Sequence, residues 1–177
     1  MRVIAGTFRS RRLVAPHGLA TRPSSDRLRE TLFNVLAPRM EGAVFADLYA
    51  GSGAVGIEAI SRGAQQVYFV EKAPPALAAI RENLKTLAIH SGFKIEPGTV
   101  ATALGRISGC TIMYLDPPYA ENEEYADTLG AIDSQLTAEG IVVAEHKRKL
   151  LLAESYGVLH RYRVLEQGDA ALSFYRR

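Results

Sequence analysis

The stretch Asp47-Leu48-Tyr49-Ala50-Gly51-Ser52-Gly53-Ala54-Val55-Gly56 constrains this chain more than any other. It follows an apolar run, 43–48, and opens a helical pattern, 54–62, so a strand must turn sharply into a helix across glycines. Gly51, Gly53 and Gly56 fit G-x-G-x-x-G, and Glu71 lies 20 residues after Gly51 at the end of the next apolar run. That spacing predicts a nucleoside-bearing ligand over the loop, with Glu71 accepting from ribose hydroxyls. Two kinds of ligand satisfy it. A dinucleotide of the nicotinamide or flavin type would lay its pyrophosphate on the helix N-terminus. Asp47, at the strand end, would oppose that phosphate and favour a phosphate-free cofactor with a cationic centre, such as the sulfonium of S-adenosylmethionine. Asp47 also suits a second role, as a turn-former bonded to the loop's own N–H groups.

From residue 43 onward strands and helices alternate. Strands are predicted over 43–48, 66–70, 93–96, 111–115 and 140–145, and helices over 54–62, 74–88, 100–106 and 123–136. Near-continuous apolar strands between amphipathic helices predict an α/β fold, with a mostly parallel sheet covered on both faces. The tail reads differently: 158–166 and 171–176 flank Gly168-Asp169 and predict a closing antiparallel hairpin. Ahead of the alternation, residues 3–14 read as a short hairpin. A helix capped by Ser24 or Ser25 then carries Leu28, Leu32, Phe33 and Leu36 at helical spacing, and Pro38 ends it. The expected division is an N-terminal extension, 1–40, and a main domain, 41–177.

A second motif follows the fourth predicted strand. In Asp116-Pro117-Pro118-Tyr119 the prolines fix φ and donate nothing, and Pro118 keeps Pro117 extended. A carboxylate and rigid carbonyls beside an aromatic face suit a planar ring bearing an exocyclic NH₂. The same residues also make a good turn. The motif does not distinguish guanine, adenine or cytosine as the ring.

Charge is uneven. Residues 1–29 hold seven arginines against Asp26 alone, whereas 30–177 carry a net charge of −4. Arg9, Arg11, Arg12, Arg22, Arg27 and Arg29 therefore stand as candidate phosphate or base contacts, with a solvated basic segment as the alternative. Arg22, Arg27 and Arg29 suit RNA contact and helix surface equally. Asn83 is expected to face solvent, and Lys147-Arg148-Lys149 to form a solvated face. The single Cys110 fits a reducing cytoplasm and a place in the core, and the four histidines show no metal-ligand spacing. No metal and no membrane span are expected, and a monomer is the default.

Taken in order, Arg22-Pro-Ser-Ser-Asp-Arg-Leu-Arg-Glu-Thr-Leu-Phe-Asn34, the glycine loop, Glu58-Ala-Ile-Ser-Arg-Gly-Ala64, Phe69-Val-Glu-Lys72 and Asp116-Pro-Pro-Tyr119 resemble the RsmD family of bacterial 16S ribosomal RNA guanine-N2 methyltransferases. Arg2-Val-Ile-Ala-Gly6 and Leu172-Ser-Phe-Tyr175 extend the resemblance across nearly the whole chain. It implies a Rossmann-like class I methyltransferase fold with a seven-stranded sheet and S-adenosylmethionine as cofactor. It also implies 16S rRNA, or a small-subunit assembly intermediate, as partner. By the same resemblance Asp47, Tyr49, Ala50, Gly51, Ser52, Gly53, Glu71, Lys72, Thr99 and Asp116 would hold the cofactor. Asp116, Pro117, Pro118 and Tyr119 would carry the chemistry, with residues 1–40 serving as RNA-binding segment and cofactor lid. The chain departs from the family pattern at Ala73, at Gly98-Thr99, and at Gln167 and Ala170. Other amine methyltransferases of nucleic acids, and a nicotinamide oxidoreductase, are the competing readings.

Overall fold

A computed structural model describes residues 1–16, 26–118 and 123–177. Eight strands form one sheet in the order β3-β2-β1-β4-β5-β8-β7-β6. They are β1 Val44–Asp47, β2 Gln66–Glu71, β3 Phe93–Pro97, β4 Cys110–Leu115, β5 Leu136–Lys147, β6 Ser155–Tyr156, β7 Leu159–Gln167 and β8 Ala170–Arg176. β1 to β5 run parallel, and β8 and β7 close the sheet antiparallel around Gly168-Asp169. The mostly parallel sheet with its closing hairpin is the expected architecture. The eighth strand is the two-residue β6, which pairs only with β7 at the edge, Ser155 opposite His160 and Tyr156 opposite Leu159. Among the described residues, no helix is long and apolar enough to cross a membrane.

Strand alternation sorts the core into two layers. Phe45, Ile112, Val143 and Phe174 face one side, where α1 (Asp26–Leu36), α2 (Ala54–Ser61) and α3 (Pro74–Thr86) supply Leu32, Ile57 and Ile80. Ala46, Met113, Val142 and Tyr175 face the other, covered by α4 (Val100–Ala103) and α5 (Glu123–Ala131) through Val100, Ala103, Tyr125 and Leu129. Leu28, Leu32, Phe33 and Leu36 of α1 enter the same core cluster as Phe45, so the extension packs on the main sheet. A 3-10 turn at Ala37–Arg39, containing Pro38, ends α1. The expected cap at Ser24 or Ser25 lies outside the described residues. Cys110 is fully buried, and burial pushes its thiol up to about 12, in keeping with a core residue.

One element boundary differs from expectation. The helix expected over 123–136 stops at Ala131, a 3-10 turn follows at Asp133–Gln135, and Leu136 already begins β5 beside Cys110. The apolar spacing of Leu129, Ile132 and Leu136 suits a helix. Residues 132 and 136 are nevertheless buried from a turn and a strand, because β5 must start low enough to pair with β4. The hairpin expected at 3–14 is present as a short antiparallel pairing: Arg2 bridges Arg12, Val3 N donates to the Arg11 carbonyl and Ser10 N to the Val3 carbonyl at 2.9 Å, and Leu13 N donates to the Met1 carbonyl at 3.1 Å. Its backbone is also held by α2. Ile4 and Ala5 donate to the buried Glu58 carboxylate at 2.7 and 3.0 Å, and Phe8 donates to Ser61 Oγ at 3.0 Å. Gly6 allows the approach. Its φ is +80°, and a Cβ there would lie 1.8 Å from the Ser61 carbonyl oxygen.

Candidate active site

β1 leaves the sheet at its topological switch point. The Leu48 N–H donates to Tyr114 of β4 at 2.9 Å, and two residues later the Ala50 N–H donates to Val70 of β2 at 2.9 Å. The chain thus straddles its two neighbours before turning into α2, and ligands of open α/β sheets bind in the crevice so opened. Here the crevice is a cavity of about 470 Å³. Its lining joins Asp47, Tyr49, Ala50, Gly51 and Ser52 of the loop with Glu71, Lys72 and Thr99 on the β2–β3 side, and with Asp116, Pro117 and Pro118 on the β4 side. Arg29, Tyr114, Val100 and Glu124 also line it, as does Met1, whose Sδ accepts from Ser52 Oγ of the loop at 3.8 Å.

The glycines have separate duties. Gly51 and Gly53 take φ of +54° and +79°, which L side chains rarely adopt, and so make the turn. Gly56 lies inside α2, where a Cβ would stand 2.3 Å from the Phe69 ring, so it sets the helix against β2. Gly53 also faces that contact, with Ile80 and Phe69 atoms 3.2 and 3.3 Å from a built Cβ.

Asp47 and Glu71, the two acids expected to meet the ligand, are engaged differently. Glu71 accepts from Gly51 N through Oε2 and from Ala73 N through Oε1, both at 2.8 Å. It therefore ties the loop to its own strand end, while each oxygen keeps capacity for a further donor. Asp47 is 1% exposed; its Oδ2 accepts the Gly56 N–H at 3.0 Å, whereas Oδ1 is buried without a partner among the described residues. Burial pushes its carboxyl up to about 7, the Gly56 bond opposing and Glu71 and Glu145 adding to the rise. Asp47 therefore anchors the helix start through Oδ2, while its Oδ1 stays uncommitted among the described residues. An N–H of the first turn of α2 is thus spent on the protein's own carboxylate. A pyrophosphate laid there would meet Asp47 at close range, so the site is unsuited to a dinucleotide.

The other expected residues fall as follows. Asp116 is half-buried, Pro117 buried and Pro118 exposed, all three on the cavity rim, and Tyr119 lies outside the described residues. Thr99 caps α4, its side chain accepting from Thr102 N at 3.3 Å. Gly98 N donates to the Glu71 carbonyl, which holds this end of β3 beside β2 without an acidic side chain. Arg9, Arg11, Arg12 and Arg27 are exposed, Arg11 reaching the Thr86 carbonyl at 3.4 Å, and Arg22 is outside the described residues. Arg29 departs from the expectation of helix surface or RNA contact: it is 1% exposed and forms part of the cavity wall. Lys147, Arg148 and Lys149 are exposed, as expected.

Asn83 also corrects the sequence reading. It is 2% exposed rather than facing solvent. Its Nδ2 donates to the carbonyls of Ser52 at 3.0 Å and Val14 at 3.1 Å, and its Oδ1 accepts Val14 N at 2.8 Å. One amide thereby joins the glycine loop to the N-terminal segment. The signal was present: Ala76, Ile80, Asn83 and Leu87 follow the buried stripe of α3 at spacings of four, three and four. Tyr114 was not singled out either. It donates from β4 to the buried Glu145 carboxylate and backs the cavity between Asp47 and Asp116.

A Rossmann-like sheet closed by an antiparallel hairpin, with a cavity at the switch point lined by the glycine loop and the buried Asp47, defines a chain of methyltransferase architecture. The chain belongs to the family described as Conserved hypothetical protein 95, which matches residues 1–176; this is the RsmD family that the motifs resemble. The Bacillus subtilis protein YlbH is 37% identical over 183 residues, covering 100% of this chain and 99% of its own. Ribosomal RNA small subunit methyltransferase D of Escherichia coli K12 is 30% identical over 181 residues, covering 100% of this chain and 90% of its own. Among solved structures, the Escherichia coli chain yhhF superposes with a TM-score of 0.86 at 30% identity, over 100% of this chain and 97% of that one. A hypothetical protein of a Thermus species gives 0.84 at 29% identity, over 100% and 99%.

Proposed function

We propose that this protein is an S-adenosylmethionine-dependent methyltransferase acting on the exocyclic N2 amine of a guanine in small-subunit ribosomal RNA. The observation that carries this reading is the meeting of two motifs in one cavity, the glycine loop with its uncommitted Asp47 Oδ1 and the Asp116-Pro117-Pro118 rim. The full-length likeness to the Escherichia coli ribosomal RNA small subunit methyltransferase D supports the substrate class.

The residues present fit the cofactor. Glu71 stands where ribose hydroxyls would donate, and Gly51 and Ser52 frame the sugar. Asp47 Oδ1, buried and without a partner, suits a positive group. When bound, S-adenosylmethionine supplies a methyl group already activated by its sulfonium. What remains for the chain is placement. Guanine N2 is a weak nucleophile because its lone pair is delocalised into the ring. Asp116 and the Pro117 carbonyl accept its two N–H bonds, which raises electron density on nitrogen and orients the lone pair. These acceptors strengthen as positive charge builds on nitrogen, so they favour the transition state over the ground state. Asp116 then holds the proton that leaves, and Tyr119 stacks on the base. A base within paired RNA must be flipped out to reach the rim. Arg9, Arg12 and Arg27 supply exposed phosphate contacts, and residues 1–40 act as RNA-binding segment and lid.

The test is transfer of labelled methyl from S-adenosylmethionine to small ribosomal subunits lacking the modification, with wild type and Asp116→Ala compared. Label recovered as N2-methylguanine, and lost in the variant, is the expected result. Label on adenine or on DNA would leave the chemistry standing and overturn the substrate.

A further inference from the structure

Arg29 is placed where an arginine is costly. It lies on the inward face of α1 beside Leu28 and Leu32, 1% exposed, and it borders the cavity. Nη2 is committed, donating to the Arg2 carbonyl at 2.7 Å and to Asp26 at 2.9 Å. Nε and Nη1 are buried and have no hydrogen-bond partner among the described residues. A guanidinium keeps its proton at any physiological pH, so these N–H groups cannot be silenced by deprotonation. The Asp26 side chain is 54% exposed, and its attraction is largely screened by water. Desolvation accordingly lowers the Arg29 pKa against the opposing pull of Glu58 and Asp26.

Its position within the cavity narrows the ligand. The groups that act on Arg29 electrostatically include Glu58 of α2 and Tyr114 of β4, and Tyr114 lines the same cavity as Arg29. Asp47, with its own unpartnered Oδ1, lines the same cavity. Two buried, uncommitted groups of opposite sign therefore border one space. An α-amino acid head group presents the matching pair, an ammonium and a carboxylate on one carbon. An RNA phosphate does not match, because a residue so enclosed is beyond the reach of a nucleic-acid backbone.

We propose that Arg29 holds the α-carboxylate at the methionyl end of the methyl donor, while Asp47 Oδ1 takes the ammonium. This rests on the methyl-donor reading of the cavity. Arg29 is thereby a cofactor-binding residue contributed by the N-terminal segment, and donor binding fastens α1 over the loop.

Calorimetric titration separates the two readings. S-adenosylhomocysteine carries the carboxylate, and its decarboxylated analogue lacks only that group. Wild type should prefer S-adenosylhomocysteine by about ten- to hundredfold, the range for charge-assisted hydrogen bonds. Arg29→Met should bind the two alike, with Arg29→Lys between, each variant first checked for native circular dichroism. Arg29→Met weakening both ligands equally would mean that only the clasp on Arg2 had been lost, and would overturn the proposal. Equal affinity of wild type for both ligands would overturn it with no variant needed. Failure of wild type to bind either would instead remove the methyl-donor reading, and this proposal with it.

Discussion

Two parts of the cavity wall are completed by different means. At the β2–β3 end, Glu71 has both oxygens on the chain's own N–H groups, and Gly98 N is tied to the Glu71 carbonyl. Elsewhere on the wall, Asp47 Oδ1 and two nitrogens of Arg29 are buried without partners among the described residues. The first part is finished by folding alone. The second is finished only when something binds, so its polar groups cost stability in the free protein and return it on binding.

The sharpest way to break this contrast is Asp116→Ala. Methyl transfer should fall by about a hundredfold or more, as when a transition-state acceptor is removed, while calorimetry shows donor binding within a few-fold of wild type. Glu71→Ala should do the reverse. Donor affinity should drop by roughly ten- to hundredfold, because the ribose acceptor and the Gly51 tether go together, and the melting temperature should fall even without ligand. A Glu71→Ala protein of native stability would mean that this end is not self-supporting.

The pH dependence probes the unfinished part. With the Asp47 carboxyl raised to about 7 by burial, the free protein holds a proton there that the unfolded chain has already released. Stability contributed by that protonated carboxyl is present at low pH and lost as pH rises through about 7. A cationic ligand needs the ionised form, so donor affinity should climb by up to about tenfold per pH unit toward neutrality and level off above it. Asp47→Asn should flatten that profile and raise ligand-free stability at pH 8. The smallest effect is expected from Asn83→Ala. It should cost about 1–3 kcal/mol in chemical denaturation by leaving the Ser52 and Val14 groups unpaired, with donor affinity reduced only several-fold.

Much of this was legible in the sequence. The loop, Glu71 and Asp116 follow from motifs whose geometry is local: strand, glycine turn, helix. The parallel sheet follows from continuous apolar runs. What was not legible depends on which neighbour a polar residue meets. Arg29 reads as one of seven arginines in a basic segment, and only α1 packing beside Tyr114 turns it inward. Asn83 sat on a buried stripe, but its partners come from residues 31 and 69 positions away. The short hairpin at 3–14 was legible from its alternation, but its anchorage was not: Ile4 and Phe8 donate to Glu58 and Ser61 of α2, a support that a two-stranded ribbon needs.

The same tie to Glu58 fixes an order of events during synthesis. Ile4 and Ala5 are made first, yet the carboxylate that holds them follows 54 and 53 residues later, and Val14 waits 69 residues for Asn83. The earliest part of the chain therefore cannot make these ties until α2 and then α3 have emerged, and it docks last onto helices already made.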